Sequence, residues 1–340
     1  MQPIRVLDLF CGGGGSSYGA RSAGAQIVAG VDACTIAAET YGANFPGALA
    51  LNATLAGDKV SAEIRAVGPV DLLVASPECT NHTCARGSRP VCEESRMTAW
   101  QVLHHAREFQ PSWMVVENVV QMRSWDRFRE FEREILGLGY QIWPRVIDAS
   151  DYGVPQARRR LFLICSREDK AFDIHPPEGV RKRVARDVLD PAGRWPVTLL
   201  YRPGRARATL ERAERGFEAL GKREPFLMVY YGSDAAGGWQ PLDRPLRTLT
   251  TLDRFALVEP SRNGPTMRML QVPELKRAMG FGDDYKLDLG TRRERVKMLG
   301  NGVCPPVMEH IVNALSGRAQ ARSRTPRQLT LVSPVAASAK

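Results

Sequence analysis

Residues 4–17 read IRVLDLFCGGGGSS, a short apolar run followed at once by four glycines and two serines. The apolar part, Ile4 to Phe10, predicts a buried β-strand, and the residues after the glycines predict a helix from about Ser17 to Ala23. A strand that meets a helix through a glycine turn brings backbone N–H groups and a helix N-terminus close to a bound cofactor. The chain therefore opens on a layout typical of nucleotide-binding α/β proteins.

A second predicted strand, Gln26 to Val31, ends at Asp32, about 20 residues beyond Gly12. A carboxylate at this position can accept hydrogen bonds from both ribose hydroxyls of a nucleotide. Four consecutive glycines lack the strict spacing of a pyrophosphate-binding motif, which favours a smaller nucleoside such as S-adenosylmethionine over a nicotinamide dinucleotide. The alternative is a tight structural turn followed by an ordinary helix-capping aspartate.

Helices and strands continue to alternate along the first half of the chain. Helices are predicted near residues 35–44, 59–67, 98–109 and 125–136, and strands near 48–51, 71–74, 113–117, 140–147 and 160–165, the last two as a hairpin. This order predicts an α/β fold with a doubly wound mixed sheet, whose ligands bind beyond the carboxyl ends of the strands. Polar or special residues follow five of these ends: Phe10, Asp32, Asn52, residues 77–79, and Glu117 with Asn118.

The chain length of 340 residues suggests two domains. We expect residues 1–166, completed by 290–317, to form a catalytic and cofactor-binding domain, and 167–289 to form a smaller domain. From Arg167 to Pro241, proline, glycine and arginine are frequent and periodicity is poor. Residues 318–340, rich in Arg, Ser, Ala and Pro, are predicted to be a disordered basic tail.

The positive charge is concentrated in two segments. The formal net charge is +10, residues 181–223 carry 12 Lys/Arg against 5 Asp/Glu, and residues 318–340 carry 5 Lys/Arg and no acids. Such clustering indicates a polyanionic partner, most simply nucleic acid, with a solvated basic surface as the alternative.

Neither a membrane span nor a disulfide framework is predicted. No apolar run approaches the roughly 18 residues of a span and no signal peptide is recognisable, so we expect a cytoplasmic protein without a membrane partner. Seven cysteines, an odd number, lie among apolar neighbours. Four are expected to be packing residues: Cys11, Cys34, Cys165 and Cys304. A zinc site is an alternative use of Cys79, His82, Cys84 and Cys92, but no Cys-x-x-Cys pair is present, so we predict no metal.

Six short motifs occur in a familiar order. They are Asp8-Leu9-Phe10-Cys11-Gly12, Pro77-Glu78-Cys79, Glu117-Asn118-Val119, Gln156 to Arg160, Arg244 to Thr250, and Gly300-Asn301-Gly302-Val303. Together they resemble the DNA (cytosine-5)-methyltransferase family, with its Asp-Leu-Phe-Ala-Gly, Pro-Pro-Cys, Glu-Asn-Val, Gln-x-Arg-x-Arg, ninth and Gly-Asn-x-Val motifs. The resemblance covers nearly the whole chain.

This resemblance implies a Rossmann-like S-adenosylmethionine-dependent methyltransferase fold with a target-recognition domain at 167–289. It implies four catalytic residues: Cys79, Glu117, Arg158 and Arg160. It also implies a set of cofactor-binding residues: Asp8, Phe10, Gly12, Gly14, Asp32, Asn52, Pro77, Asn301 and Val303. The expected cofactor is S-adenosyl-L-methionine and the expected partner is double-stranded DNA. A cognate restriction endonuclease is a candidate partner, and we expect a monomer.

The implied reaction begins with a target cytosine flipped out of the duplex, because its ring is inaccessible inside the base stack. Cys79 would add to C6, while Glu117 would contact N3 and the N4 amine. Arg158 and Arg160 would stabilise charge that develops near O2. The methyl group would then pass to C5, and loss of the C5 proton would release Cys79.

Three residues depart from the family pattern. Glu78 replaces the second proline of the nucleophile motif, Thr80 replaces a glutamine, and Asn52 replaces an aspartate. A carboxylate beside a thiol raises the pKa of that thiol unless it points away or is paired. Two alternatives stay open: a tRNA cytosine-5 methyltransferase, because a branch of the resembled family uses this active site on RNA, and a catalytically weak DNA-binding relative, which Glu78 and Thr80 suggest.

Overall fold

The computed structural model describes residues 2–78, 92–168, 172, 174–230 and 237–317. Its main sheet is built from β1 (Arg5–Leu9), β2 (Gln26–Asp32), β3 (Leu49–Asn52), β4 (Leu72–Ala75), β5 (Trp113–Asn118), β6 (Gln141–Asp148) and β8 (Arg159–Ser166). The seven strands lie in the order β3-β2-β1-β4-β5-β8-β6. β8 runs antiparallel to both neighbours, whereas the first five strands pair in parallel. The predicted doubly wound mixed sheet is confirmed.

The direction of winding reverses between β1 and β4. From β1 the chain moves outward through β2 and β3, and it then returns to place β4 on the other side of β1. In such sheets the crevice at the carboxyl ends of the two central strands is where ligands bind. The backbone N–H of Ser76, just after β4, donates to the carbonyl of Leu9 at the end of β1, at 3.1 Å. The glycine turn and the Ser76-Pro77-Glu78 segment therefore meet at this crevice.

Helices cover both faces of the sheet. They are α1 (Gly15–Ser22), α2 (Thr35–Asn44), α3 (Ala62–Arg65), α4 (Glu93–Met97), α5 (Ala99–Phe109), α6 (Phe128–Gly137), α9 (Arg292–Asn301) and α10 (Pro305–Leu315). α10 packs against α1, where a Cβ on Gly19 would lie only 2.2 Å from the Pro305 carbonyl oxygen. The C-terminal helix thus returns to the first helix of the chain, and glycine at position 19 permits the close approach.

A second, antiparallel sheet has the order β11-β10-β13-β14-β9. Its strands are β9 (Thr198–Leu199), β10 (Phe226–Val229), β11 (Trp239–Pro241), β13 (Phe255–Glu259) and β14 (Thr266–Met269), and helix α7 (Arg207–Leu220) packs on it. Our expectation of poor periodicity was wrong for α7. Its apolar residues Leu210, Ala213 and Phe217 recur at helical spacing and face the small core, although frequent arginines and glutamates separate them.

A short parallel pair joins the two regions. β7 (Gln156–Ala157) pairs with β12 (Leu246–Arg247), and α8 (Val272–Ala278) follows the second sheet. Two predicted helices are shorter than expected, since α3 spans only Ala62–Arg65 and α6 begins at Phe128 after a 3-10 turn. Across the described ranges, the chain has no helix long and apolar enough to cross a membrane.

Candidate active site

The turn after β1 has an unusual backbone. Phe10 has a φ of 55°, and Gly12 and Gly14 have φ values of 52° and 89°. A positive φ is costly for a residue with a side chain, and such residues concentrate where a site constrains the backbone. The Gly14 N–H donates to the Cys11 carbonyl at 2.8 Å and closes the turn, and α1 begins at the next residue.

The glycines of this turn serve different purposes. A Cβ on Gly14 would lie 2.5 Å from the Phe45 ring, and a Cβ on Gly15 would lie 2.3 Å from the Val303 carbonyl oxygen. At Gly12, by contrast, none of the described neighbouring residues would have an atom within 4 Å of the added Cβ. Gly14 and Gly15 are therefore required for packing, whereas Gly12 borders open space that a ligand can enter.

Asp32 and Asn52, at the ends of β2 and β3, lie beside this turn. The Asp32 carboxylate accepts from the backbone N–H of Gly12 at 2.8 Å and from that of Cys34 at 2.9 Å. Asn52 donates to the Asp32 carbonyl at 3.1 Å and accepts from the Thr35 hydroxyl at 2.9 Å. A carboxylate has about four acceptor positions and an amide carbonyl two, so both groups retain acceptor capacity for a ligand.

Asp8, which we predicted to bind the cofactor, lies behind the turn and is fully buried. Its carboxylate accepts from the Ser17 hydroxyl at 2.7 Å, and that hydroxyl also lies 2.7 Å from the Tyr41 hydroxyl. Burial raises the pKa of Asp8 to about 7, although the Ser17 hydrogen bonds oppose the change. Asp8 thus joins β1 to α1 from inside the protein.

Ser76 and Pro77 each lie beside the end of β5. The Ser76 side chain is close enough to the Glu117 carboxyl group to oppose the rise in its pKa. The Asn118 side chain donates to the Pro77 carbonyl at 3.1 Å and accepts from the Val119 N–H at 2.8 Å. The Glu-Asn-Val motif therefore supports the start of the nucleophile motif directly.

The carboxylate of Glu78 accepts a hydrogen bond from the Ser95 hydroxyl. Because the hydroxyl is neutral, this contact orients the carboxylate without cancelling its charge. Cys79 itself lies outside the described residues, as do Thr80, His82 and Cys84. Within the part of the chain that is described, no three His, Cys, Asp or Glu side chains could hold a metal ion together.

Glu117 is the buried acid of the site. It is the penultimate residue of β5, with 5% of its surface exposed, and its Oε1 lies 3.2 Å from the Arg160 Nε. Burial raises the pKa of Glu117, and the charges of Arg160 and Arg158 together with the nearby Ser76 side chain reduce the effect without cancelling it. The carboxyl group is consequently protonated more readily than a free glutamic acid and can donate a hydrogen bond.

Arg158, predicted to act beside Arg160, is buried and bound to the backbone. Its guanidinium donates to the carbonyl of Leu249 at 3.1 Å, of Gly300 at 2.8 Å and of Gly302 at 2.9 Å. These contacts connect three of the six motifs across 91 to 144 residues of sequence. Arg158 therefore holds the site together, whereas Arg160 lies directly against Glu117.

Two residues that support the site were not assigned a role from sequence. The buried Gln156 accepts from the Leu249 N–H at 2.8 Å and donates to the Ala278 carbonyl at 3.2 Å. Tyr285 donates its hydroxyl to the Gly13 carbonyl at 2.6 Å. The position of Gln156 in a motif was a usable signal, but nothing in the sequence places Tyr285 beside a turn 272 residues away.

The closing Gly-Asn-Gly-Val motif reaches the same region. Val303 is buried and its carbonyl adjoins Gly15, while Asn301 ends α9 with an exposed side chain. A Cβ on Gly300 would lie 2.2 Å from the Thr250 carbonyl oxygen. The motif thus approaches both the glycine turn and the ninth motif.

Three of the four cysteines expected to be packing residues are buried: Cys11, Cys165 and Cys304. Cys34 is exposed at the N-terminus of α2, so that prediction was wrong. Burial raises the pKa of Cys304 to about 11, which keeps it a neutral thiol at physiological pH.

Similar sequences include bacterial Type II methyltransferases. M.HgiDI of Herpetosiphon aurantiacus is 29% identical over 340 residues, covering 97% of this chain and 99% of the relative. M.SacI of Streptomyces achromogenes is 27% identical, covering 92% of each chain. With M.DdeI of Desulfomicrobium norvegicum, 27% identical over 191 residues, this chain spans only 45% of the relative's length.

Solved structures with the same fold include the methyltransferase EhMeth of Entamoeba histolytica, with a TM-score of 0.66, 17% identity, and coverage of 94% of this chain and 99% of that one. The Dnmt2 methyltransferase of S. pombe has a TM-score of 0.62, 18% identity, and coverage of 93% and 99%. At this identity the likeness establishes the Rossmann-like methyltransferase fold. The family described as C-5 cytosine-specific DNA methylase matches residues 4–317. The chain therefore belongs to that family of DNA (cytosine-5)-methyltransferases.

Proposed function

We propose that this protein flips a target cytosine out of duplex DNA and transfers a methyl group from S-adenosylmethionine to its C5 atom. The observation that carries the proposal is the buried Glu117, with a raised pKa, against Arg160 at the end of β5. Asn118, the residue after Glu117, donates to the carbonyl of Pro77, two residues before Cys79.

The residues around the glycine turn fit a nucleoside cofactor. Open space borders Gly12, and the carboxylate of Asp32 is held beside it with acceptor capacity remaining. Phe10, Gly14, Asn52, Pro77, Asn301 and Val303 complete the proposed binding residues. Asp8 would support the cofactor site indirectly, because its carboxylate accepts from the hydroxyl of Ser17 in α1, the helix that follows the glycine turn. Bound S-adenosylmethionine would supply an activated methyl group and would be released as S-adenosyl-L-homocysteine.

The side chains of the protein would carry out the attack on the cytosine ring, the proton transfers and the release of the product. The Cys79 thiolate adds to C6 of the cytosine, and the electron pair of the C5–C6 bond moves toward C5 and the N3–O2 side of the ring. Protonated Glu117 donates to N3 and its second oxygen accepts from the N4 amine, which distinguishes cytosine from thymine. After C5 is methylated, a base or water removes its proton, and Cys79 leaves.

The two arginines have different proposed roles. Arg160, whose side chain is partly exposed beside Glu117, would stabilise negative charge near O2. Arg158 already donates to three backbone carbonyls, so we assign it to positioning the three segments that it joins. This revises its predicted catalytic role.

Duplex DNA is the proposed partner, bound through the arginine-rich second region and the crevice beside it. The surplus of 12 Lys/Arg over 5 Asp/Glu in residues 181–223 supplies the phosphate contacts that such binding requires. The Type II names of the relatives support a cognate restriction endonuclease as a further candidate partner.

The test is a methylation assay with the full chain and tritium-labelled S-adenosylmethionine. Duplex bacterial DNA and total tRNA are offered separately, and bisulfite sequencing of the DNA locates the modified cytosines. We expect label in DNA and protection at a short recurring sequence. Label in tRNA alone would replace the proposal with the RNA alternative, and label in neither would favour a DNA-binding relative without activity.

A further inference from the structure

Glu78, at the position where the family carries a proline, makes two contacts that proline cannot make. Its backbone N–H donates to the Thr98 hydroxyl at 3.2 Å, and its carboxylate accepts from the Ser95 hydroxyl. Proline has neither an N–H nor a side-chain acceptor. The departure from the family pattern therefore adds two hydrogen bonds immediately before Cys79.

Ser95 and Thr98, the two residues that hydrogen-bond Glu78, are themselves held in place by further contacts. The Thr98 hydroxyl donates to the Ser95 carbonyl at 2.7 Å, which joins the two partners to each other at the junction of α4 and α5. At the start of α4, Glu93 accepts from the Trp125 indole N–H at 2.9 Å. Trp125 is 3% exposed and packs edge-on against Trp100 of α5. The junction is thus fixed to the core.

The two residues before Cys79 are hydrogen-bonded to two different parts of the structure. Pro77 is bound to Asn118 at the end of β5, and Glu78 is bound to the α4–α5 junction, 17 and 20 residues further along the chain. We propose that Glu78 is a positioning residue of the methyl-transfer reaction. Through the Glu78 clasp, defined as Glu78 with Ser95 and Thr98, it holds the backbone from which Cys79 attacks.

This inference rests on the proposed function, because a clasp matters only if Cys79 is the nucleophile. The proline of the family restricts this backbone through its ring, which locks φ. In this chain hydrogen bonds to a neighbouring helix junction supply the restraint instead. Since small errors in the position of an attacking atom reduce rates strongly, loss of the restraint should slow attack on C6.

The experiment measures the rate of covalent adduct formation between the full chain and a duplex carrying 5-fluorocytosine at the cytosine that bisulfite sequencing identifies. S-adenosylmethionine is included, because addition to C6 is reversible until C5 is methylated; the fluorine then on C5 cannot leave as a proton, so Cys79 is not released and the enzyme stays bound. The variants are Glu78→Ala, Glu78→Gln, Glu78→Pro, Ser95→Ala and the double variant Glu78→Ala/Ser95→Ala. Glu108→Gln, an exposed glutamate near the C-terminal end of α5, is the matched control.

We expect Glu78→Ala and Ser95→Ala each to slow adduct formation about five- to tenfold, in keeping with one hydrogen bond to a charged group at an exposed site. The double variant should be no slower than either single variant, because both remove the same contact. Glu78→Gln should retain a rate within about twofold of wild type, since its amide oxygen still accepts from Ser95. Glu78→Pro should be slow although it restores the family residue.

Cofactor affinity and the thermal midpoint are measured for each variant. Support requires both to match wild type while the rate falls. The clasp is rejected if Ser95→Ala keeps the wild-type rate, if Glu78→Pro equals or exceeds it, or if Glu78→Gln is as slow as Glu78→Ala. It is equally rejected if the slow variants lose stability and cofactor affinity in parallel. A wild-type protein that forms no adduct removes the proposed function and the clasp together.

Discussion

Replacing Arg158 by alanine separates a positioning role from a catalytic one. The guanidinium is 3% exposed and donates to the carbonyls of Leu249, Gly300 and Gly302. Each carbonyl left without a donor costs about 1–3 kcal/mol, and relief of the buried charge offsets part of the sum. We therefore expect Arg158→Ala to lower the free energy of unfolding by about 3 kcal/mol.

For a chain of this length, such a loss corresponds to a decrease of about 4 °C in the thermal midpoint. Arg158→Lys should recover only part of it, because one ammonium group cannot span three carbonyls in the planar geometry of guanidinium. Arg159→Ala is the control, since Arg159 is exposed and its removal should change stability by less than about 0.5 kcal/mol.

The assay is thermal unfolding followed by circular dichroism, with the methyl-transfer rate measured on the same preparations. If Arg158 acts by holding the three segments together, stability and cofactor affinity should fall together with the methyl-transfer rate. An Arg158→Ala protein with the wild-type midpoint and cofactor affinity but no methyl transfer would refute this reasoning and return Arg158 to the substrate.

Three further outcomes test the site. Gly15→Ala should lower the thermal midpoint and weaken cofactor binding measured by calorimetry, because its Cβ would lie 2.3 Å from a backbone carbonyl oxygen, whereas Gly137→Ala meets no atom within 4 Å and should be neutral or stabilising. Asp8 has a raised pKa of about 7, so its contribution to stability is complete below its unfolded value of about 3.8 and is lost as pH rises through 7. The midpoint should accordingly fall less between pH 5 and 8 in Asp8→Asn than in wild type or in the exposed-site control Asp58→Asn; equal falls would contradict the burial argument. Glu117→Gln should reduce the single-turnover methylation rate by at least about 100-fold, the scale of one general acid, and abolish the decline of that rate with rising pH; an unchanged alkaline limb would show that another group titrates.

Local pattern was enough to predict most of the large sheet. Strands such as β1 and β2 are short apolar runs bounded by glycine or aspartate, and α2 spans Thr35–Asn44 as predicted. The prediction missed α7, because charged residues interrupt its apolar spacing. It also overextended α3, which begins only at Ala62, where the Ser61 hydroxyl caps the helix by accepting from the Ile64 N–H, and which ends at Arg65.

The sequence by itself determined the order of the elements, the residues at the strand ends and the resemblance to a methyltransferase family, because these depend on local periodicity and on motifs written along the chain. Only the tertiary structure decided what Arg158, Asp8 and Glu78 do. Their partners lie 91 to 144, 9 and 17 to 20 residues away, and hydrogen bonds over such separations exist only once the chain has folded. Burial, which raises the pKa of Asp8 and of Glu117, is likewise a property of the packed molecule.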